Sequence, residues 1–125
     1  MKNIYFLQID VETYAEVLSI DKILGVEHNT SNYWEFRIEE NLERIDYINL
    51  FLNILEERYE ALEQIGVTRD MISIWRYYVY DEQCNFEFSP IDLKRLGDNG
   101  ITLCLSCWDS GEEYDHDAVF EKVLN

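Results

Sequence analysis

Residues 41–65, NLERIDYINLFLNILEERYEALEQI, lie between two stretches that are rich in aromatic and β-branched residues, and they decide the class of fold. Apolar residues recur in this segment at steps of three and four positions: Leu42, Ile45, Ile48, Leu52, Leu55, Tyr59 and Leu62. Most of its acidic residues lie off that stripe. The period predicts an amphipathic helix of about six turns. Asn41 is the predicted N-cap, and Gly66 is the predicted stop.

Strand patterns stand on both sides of this helix. Before it, residues 33–39 alternate: Trp34, Phe36 and Ile38 share one face and charged residues share the other, which predicts a strand exposed on one side. After it, residues 71–80 are rich in β-branched and aromatic residues and predict a second strand.

Two further strands are predicted, one near the N-terminus and one after residue 100. Residues 3–10 are apolar on both faces, which indicates a strand buried on both sides. Residues 101–108 alternate as a last strand. Residues 86–88 would extend the sheet after the turn that follows residue 80.

Two shorter helices carry clear end signals. Ser19 is the predicted N-cap of a helix that stops at Gly25. Ser89 and Pro90 are a strong helix start, because proline at the first helical position loses no hydrogen bond. That helix ends near Gly100.

The order of elements predicts the fold class. Strands connected through helices give an α+β two-layer sandwich, with a four- to five-stranded sheet and helices packed mainly on one face. The length of 125 residues predicts one domain, residues 1–125. Its acidic C-terminal tail segment, residues 109–125, contains a short predicted helix around Val119, Phe120 and Val123.

The net negative charge limits the classes of partner that the protein can bind. There are 26 Asp and Glu against 10 Lys and Arg, a net charge of −16. Nucleic-acid and anionic-membrane binding both depend on clustered Lys and Arg, so we expect neither. The N-terminal residues lack the features of a signal peptide, and no stretch reaches the ~20 apolar residues of a membrane span. A soluble, cytoplasmic protein is expected.

The cysteines predict ordinary reduced thiols. Cys84, Cys104 and Cys107 are an odd number, unlike the paired sets of small secreted proteins. Cys104 and Cys107 have C-x-x-C spacing, but they fall inside a predicted strand. Their odd offset sends the side chains to opposite faces, which suits neither a zinc knuckle nor a thioredoxin-like site.

His116 is the candidate residue for an alternative function in metal binding or catalysis. It lies among four carboxylates, and such a loop could hold a hard cation or perform acid–base work. The carboxylates are Glu112, Glu113, Asp115 and Asp117. Their spacing differs from an EF-hand loop, and the chain has no nucleophile-elbow, zinc-protease or phosphate-loop motif. A small metal-dependent enzyme or metal-binding protein is therefore kept as the alternative to a protein with no catalytic residues, metal or cofactor.

Several segments resemble a bacterial domain family of unknown function, DUF4279. They are Leu24-Gly25-Val26, Trp34, ISIWRYY at 72–78, SPIDLKRL at 89–96 and Gly100-Ile101. The similarity covers most of residues 3–108. Where the family pattern has Pro-Thr after Leu-Gly-Ile, this chain has Glu-His-Asn-Thr at 27–30. The resemblance brings no catalytic residues. The resemblance implies that the chain is one of the small acidic bacterial proteins, and toxin-immunity proteins are frequent among these.

The location of the acids suggests a binding surface. Residues 33–70 carry −6 and residues 109–125 carry −5. Such charge serves solubility, or it complements a basic protein such as a nuclease toxin, whose nucleic-acid cleft must be positive. A self-associating structural or regulatory module also remains open, as does the oligomeric state. The leading hypothesis is a non-enzymatic immunity protein with this predicted interface: Trp108, Asp109, Glu112, Glu113, Tyr114, Asp115, Asp117, Glu39, Glu40 and Glu43.

Overall fold

A computed structural model describes residues 2–30, 33–40, 45–80 and 85–109, with only the backbone of Lys2 and Glu40. Within these ranges the chain forms four strands and four α-helices. In chain order they are β1 (Lys2–Ile9), α1 (Tyr14–Leu24), β2 (Trp34–Glu40), α2 (Tyr47–Leu55), α3 (Tyr59–Gln64), β3 (Ile72–Tyr80), α4 (Pro90–Asn99) and β4 (Thr102–Asp109). In the described part of the chain, no helix is both long enough and apolar enough to cross a membrane.

The sheet has the strand order β2-β1-β3-β4. β1 is antiparallel to both β2 and β3, and β3 is parallel to β4 through the α4 crossover. β1 is therefore a central strand, in agreement with its apolar residues on both faces. The helices pack against the sheet, which confirms the α+β two-layer sandwich. The described sheet has four strands, because residues 86–88 are not a strand.

The main core fills the space between the helices and one face of the sheet, here called the helix face. Every helix contributes buried side chains to it, among them Ile20 of α1, Phe51 of α2, Leu62 of α3 and Leu96 of α4. The strands supply these buried partners: Tyr5, Leu7, Ile9, Trp34, Ile72 and Ile74.

The helix predicted over residues 41–65 is in fact two helices, α2 and α3. They meet at Glu57, a non-glycine residue in the left-handed region with φ +71°. A straight helix of that length would run about 37 Å at 1.5 Å per residue, longer than the nine-residue β3 at about 30 Å. The bend returns Leu62 to the core, where it is fully buried. Asn41 lies outside the described residues, and Gly66 follows α3 as predicted, with φ +87°.

The start of α1 also differs from prediction. Thr13 is the N-cap, and its hydroxyl accepts a hydrogen bond from the Glu16 backbone N–H at 3.2 Å. The Glu16 carboxylate accepts from the Thr13 backbone N–H in return, which completes a capping box. Ser19 lies inside the helix and donates to the Ala15 carbonyl oxygen. The predicted end at Gly25 is confirmed, since its φ of +72° suits glycine.

The signals at the ends of α4 are confirmed. The Ser89 hydroxyl accepts from the Asp92 backbone N–H at 3.1 Å, and Pro90 takes the first helical position. Gly100 closes the helix in the left-handed conformation. The Asp92 carboxylate accepts from the Asn49 side-chain amide of α2 at 2.9 Å, and this hydrogen bond joins the first turns of the two helices.

Candidate binding surfaces

Part of the predicted interface falls within the described chain. Glu39 is exposed on β2, and Asp109 is exposed at the end of β4. Glu40 is the last residue of β2, with only its backbone described. The remaining predicted residues lie outside the described ranges: Glu43, Glu112, Glu113, Tyr114, Asp115 and Asp117.

The strand register separates Glu39 from Trp108. Glu39 pairs with Ile4, Ile4 with Tyr77, and Tyr77 with Ser106, so this row crosses the whole sheet. Trp108 is two residues beyond Ser106, on the same face and at the same end. With strands about 4.8 Å apart, the two edges are about 14 Å from each other. Glu39 and Trp108 therefore lie at the same end of the sheet but on its two opposite edges.

Trp108 is half-buried and packs within the chain. It lies with Trp75 against a cluster on the face of the sheet opposite the helices, here called the second face. Its indole Nε1–H donates to the Ser106 hydroxyl at 3.3 Å. Part of this predicted anchor is therefore committed to intramolecular packing, and its exposed part remains available to a partner.

The second-face cluster is strongly buried. Ile4, Phe6 and Tyr77 have no exposed surface, and Val79 is 3% exposed. The Phe6 and Trp75 rings stack, with centroids 5.5 Å apart and planes 6° from parallel. All members of this cluster among the described residues belong to β1, β3 and β4.

The arginines of the described chain are used internally. Arg95 of α4 donates to Asn49 at 2.6 Å and Asn53 at 2.7 Å, and it forms an ion pair with Glu56. Hydrogen bonds from Arg95 and then Asn99 hold the pKa of the Glu56 carboxyl below its usual value. Hydrogen bonding to Glu56 likewise raises the pKa of Arg95. These contacts tie α2 to α4.

Arg58 and Arg69 also bind within the fold. Arg58 donates to the Ile23 and Ile54 carbonyl oxygens, both at 3.1 Å, so it links α1 to the bend between α2 and α3. Arg69 donates to the Asn99 carbonyl oxygen at 3.0 Å, and its guanidinium stacks 4.2 Å from the centre of the Tyr59 ring. Neither guanidinium forms an ion pair with a described carboxylate.

Arg76 is buried on the helix face of β3. Its Nε and Nη2 both donate to the Asn3 Oδ1, at 3.2 and 2.9 Å. Its guanidinium lies 4.3 Å from the centre of the Phe86 ring. Burial raises the pKa of the nearby Tyr47 phenol to about 12, although Arg76 opposes that shift. Aromatic rings and an amide, rather than a carboxylate, hold this cation among the described residues.

A half-open pocket of about 140 Å³ lies over Arg76. Three carboxylates line it, those of Asp46, Glu87 and Asp92. One guanidinium against three carboxylates leaves the lining net negative. The pocket therefore disfavours an anionic ligand and suits a basic side chain.

Several acidic side chains, in contrast, face solvent with no described cation beside them. Glu57, Glu60 and Glu63 are exposed at the α2–α3 bend and along α3, here called the acidic corner. None of them forms an ion pair with a described Lys, Arg or His. The same holds for Glu12 and Glu27 in the loops at the two ends of α1.

Asp21 organises a cluster that no pattern in the sequence indicates. Its carboxylate accepts from the Trp34 indole N–H at 2.8 Å, from the His28 backbone N–H at 2.9 Å and from the His28 ring. Burial alone would raise the pKa of Asp21, but these hydrogen bonds bring it below its usual value. The three groups come from α1, the following loop and β2. The arrangement fixes the loop and the edge strand.

Glu35, the neighbour of Trp34 on β2, points to the second face and is fully buried. Its Oε2 accepts from the Thr30 hydroxyl at 3.1 Å and lies 3.7 Å from Arg37 Nη2. Its Oε1 has no hydrogen-bond donor among the described residues. Burial raises the pKa of this carboxyl, against the smaller opposing effects of Arg37 and Thr30.

The two described cysteines lie on opposite faces, as the odd spacing predicted. Cys104 pairs in register with Trp75 of the second face, and Cys107 with Tyr78 of the helix face. Neither forms a disulfide. Burial raises the pKa of the Cys104 thiol, which lowers its thiolate fraction at neutral pH.

The described residues contain no group of three His, Cys, Asp or Glu placed to hold a metal ion. The His116 loop of the alternative function lies outside them. No protein-family model, curated protein or solved structure matches this chain. The resemblance to the DUF4279 family therefore remains a prediction from the residues that suggested it.

Proposed function

We propose that this chain is a non-enzymatic immunity protein that acts in the cytoplasm. It binds a basic cognate toxin, of which a nuclease domain is the leading case, and covers the toxin's cleft by electrostatic and steric occlusion. No turnover or cofactor is involved. The mechanism requires a surface of excess negative charge that is presented to the partner, not neutralised within the fold.

One observation carries the proposal: three of the described arginines bind other groups of the chain rather than a carboxylate, while the three glutamates of the acidic corner are exposed and form no ion pair with a described cation. Arg58, Arg69 and Arg76 bind carbonyl oxygens, an amide and aromatic rings. They cancel no surface carboxylate at close range. The unpaired carboxylates of the acidic corner add to a net charge of −16. The carboxylates of the acidic corner are therefore available to a positively charged partner.

Such a surface favours rapid capture of a positive partner. Complementary potentials raise association rates to about 10⁸–10⁹ M⁻¹s⁻¹ at low salt, and they discriminate against other acidic proteins. A toxin that destroys nucleic acid must be intercepted quickly, so the rate of encounter matters as much as the final affinity. Tyr114 and the exposed part of Trp108 would supply the less polar anchors that stabilise the complex.

The first step of the test is capture of the partner from the native host with the tagged full-length chain. A basic protein whose toxic activity falls to zero at a one-to-one ratio supports the proposal. A captured protein that is acidic, or that keeps its activity when saturated, contradicts it.

The second step compares two charge reversals of equal size, measured against the captured partner. One changes Glu112, Glu113 and Asp115 to Lys, and the other changes the three glutamates of the acidic corner to Lys. We expect the first to lower the association rate at least tenfold and to reduce its salt dependence, with a smaller effect of the second. Equal effects would assign binding to net charge alone, and unchanged binding in the first variant would remove the predicted interface.

A further inference from the structure

Groups of opposite charge line the pocket over Arg76 without forming an ion pair with each other. The pocket has a volume of about 140 Å³, and its lining includes the Arg76 guanidinium and the carboxylates of Asp46, Glu87 and Asp92. No ion pair joins Arg76 to any of these three carboxylates. Buried charges in proteins are ordinarily paired. The positive and the negative part of this lining are therefore both open to a ligand.

The positive part of the lining is buried and has hydrogen-bonding capacity to spare. Arg76 is 6% exposed, and its described hydrogen bonds all go to one atom, the Asn3 Oδ1. Tyr47 is 5% exposed, and its hydroxyl has no hydrogen-bond partner among the described residues. The Arg76 charge is near enough to that hydroxyl to oppose the rise in its pKa that burial causes. A guanidinium beside a hydroxyl donor suits a ligand carboxylate.

The first turn of α2 adds backbone donors at the same place. Asp46 is the N-cap of this helix, but its side chain makes no capping hydrogen bond. Both of its oxygens accept instead from the Asn49 side-chain amide, at 3.0 Å. Tyr47 and Ile48, the first two residues of the helix, line the pocket. Backbone N–H groups at a helix start favour a bound anion, so they reinforce the preference of Arg76 for a carboxylate.

The negative part of the lining suits an ammonium group. The Asn49 amide donates to Asp92 as well as to Asp46, so these two carboxylates are held close together. Glu87 is exposed in the loop before α4. None of the three carboxylates forms an ion pair with a described Lys, Arg or His. Hydrogen bonds from an ammonium group to carboxylates are among the stronger ones in proteins.

A ligand that carries both charges satisfies both parts of the lining. A purely anionic ligand would meet three carboxylates, and a purely cationic ligand would leave the Tyr47 hydroxyl and the Arg76 charge without a partner. A free α-amino acid carries a carboxylate and an ammonium group on one carbon atom. A single water needs only about 10–15 Å³ of such a volume, so the pocket has room for this head group.

We propose that the pocket over Arg76 binds a free α-amino acid. Its carboxylate contacts Arg76 and the Tyr47 hydroxyl, and its ammonium group lies among the carboxylates of Asp46, Glu87 and Asp92. Because the lining is net negative, a basic amino acid binds more tightly than an acidic one. This site is independent of the proposed function, since it requires no protein partner.

The ligand chemistry is tested with three compounds that differ in one charged group. The isotope-labelled full-length protein is titrated with L-lysine, with L-lysinamide, which lacks the carboxylate, and with Nα-acetyl-L-lysine, which lacks the α-ammonium group. NMR follows the backbone resonances at constant pH and ionic strength. We expect L-lysine to cause saturable shifts at residues 45–48, 76 and 87–92. Each derivative should bind about tenfold more weakly, because it loses charge-assisted hydrogen bonds.

Three results would overturn the proposal. Equal binding of L-lysine and either derivative would mean that one of the two charged groups is not recognised. The absence of saturable shifts with all three compounds would show that the pocket is not a site for them. Shifts at the acidic corner as large as those at the pocket would assign binding to net charge alone.

Tyr47→Phe tests the carboxylate contact. It removes only a hydroxyl without a described partner, so the free energy of unfolding should not fall. We expect it to weaken the binding of L-lysine about fivefold and to leave that of L-lysinamide unchanged. Weaker binding of both compounds, or of neither, contradicts the placement of the carboxylate.

Glu87→Gln tests the ammonium contact, and Glu63→Gln is its matched control, because it makes the same charge change at the acidic corner. We expect Glu87→Gln to weaken the binding of L-lysine and of L-lysinamide about fivefold, with no change in Glu63→Gln. Equal effects of the two substitutions, or unchanged binding in Glu87→Gln, overturn the proposal. Neither result bears on the proposed function, which is tested with the captured partner.

Discussion

The two faces of the sheet are buried to the same degree but by different means. On the helix face, each covering helix has its own signal in the sequence, such as the Ser89-Pro90 start of α4. On the second face, Ile4, Phe6 and Tyr77 are as buried as Phe51 of the main core, yet every described neighbour in their cluster is another strand residue. The comparison teaches that strand residues report whether a face is covered, but not what covers it.

The largest expected effect tests whether the two faces are equally well packed. Phe51→Ala removes a fully buried ring from the helix face, and Phe6→Ala removes one from the second face. Each should lower the free energy of unfolding by about 3–5 kcal/mol, because the ring's transfer energy is lost and a cavity remains. Denaturant titration of the full-length variants measures both.

Ile91→Ala is the control for this pair, since Ile91 is 79% exposed on α4. Its effect should stay within about 0.5 kcal/mol. If Phe6→Ala lowered the free energy of unfolding no more than Ile91→Ala does, the second face would be loosely packed. The two faces would then not be equivalent.

Asp21 and Glu35 are two carboxylates that differ in the same way as the two faces of the sheet, since each lies on one face. They contact adjacent parts of β2 on opposite faces, Asp21 through Trp34 of the helix face. Asp21 accepts several hydrogen bonds and its pKa is lowered. Glu35 is poorly solvated and its pKa is raised by burial. One carboxylate therefore stabilises the fold when ionised, and the other is destabilising when ionised.

Asp21→Ala should have the second largest effect. It leaves the Trp34 indole N–H and the His28 backbone N–H without their acceptor, which costs about 2–3 kcal/mol. Thermal and urea unfolding measure the loss, and Asp10→Ala at an exposed position is the control. A loss below about 0.5 kcal/mol would mean that water replaces the carboxylate and that the cluster does not hold the loop.

Glu35→Gln should give the smallest effect, seen mainly in the pH dependence of stability. Because the folded pKa of Glu35 is raised, the folded state binds its proton more tightly than the unfolded state does. The wild-type protein therefore gains stability as pH falls through the raised folded pKa toward the ordinary glutamate pKa of 4.5. Glu35→Gln should lose this part of the slope.

Net charge also produces such a slope, so Glu27→Gln, an exposed substitution with the same charge change, is the comparison. The idea that Glu35 is buried while ionised fails if both variants show the same dependence between pH 7 and pH 4.5. Asp21 contributes in the opposite direction: its stabilisation is present above its unfolded pKa and is lost in more acidic solution.

The two helix predictions that were wrong, the single helix over residues 41–65 and the start of α1, both relied on local patterns. The stripe from Ile45 to Leu62 predicts apolar contact correctly, but local periodicity cannot report the bend at Glu57. Ser19 and Gly25 bracket a short segment, so the local pattern predicts a start at Ser19 that is six residues too late for α1. The Thr13–Glu16 capping box is equally local, and its S/T-x-x-E pattern could have identified the true start.

The candidate surfaces were less predictable. Asp21, His28 and Trp34 come from three different elements, so no short-range pattern joins them. The same applies to the internal use of the arginines: Arg95 meets Glu56, 39 positions away. Composition gives the charge excess, but it does not show which charges cancel.

The sequence alone determined the α+β class, the four described strands, the start and end of α4, and the negative charge, because each depends on residue type or on spacing along one element. The tertiary structure alone decided the strand order, the bend between α2 and α3, the separation of Glu39 from Trp108 across the sheet, and the partners of the arginines. These depend on which distant segments come together, and the free energy that selects them comes from packing and desolvation between elements, which no local pattern encodes.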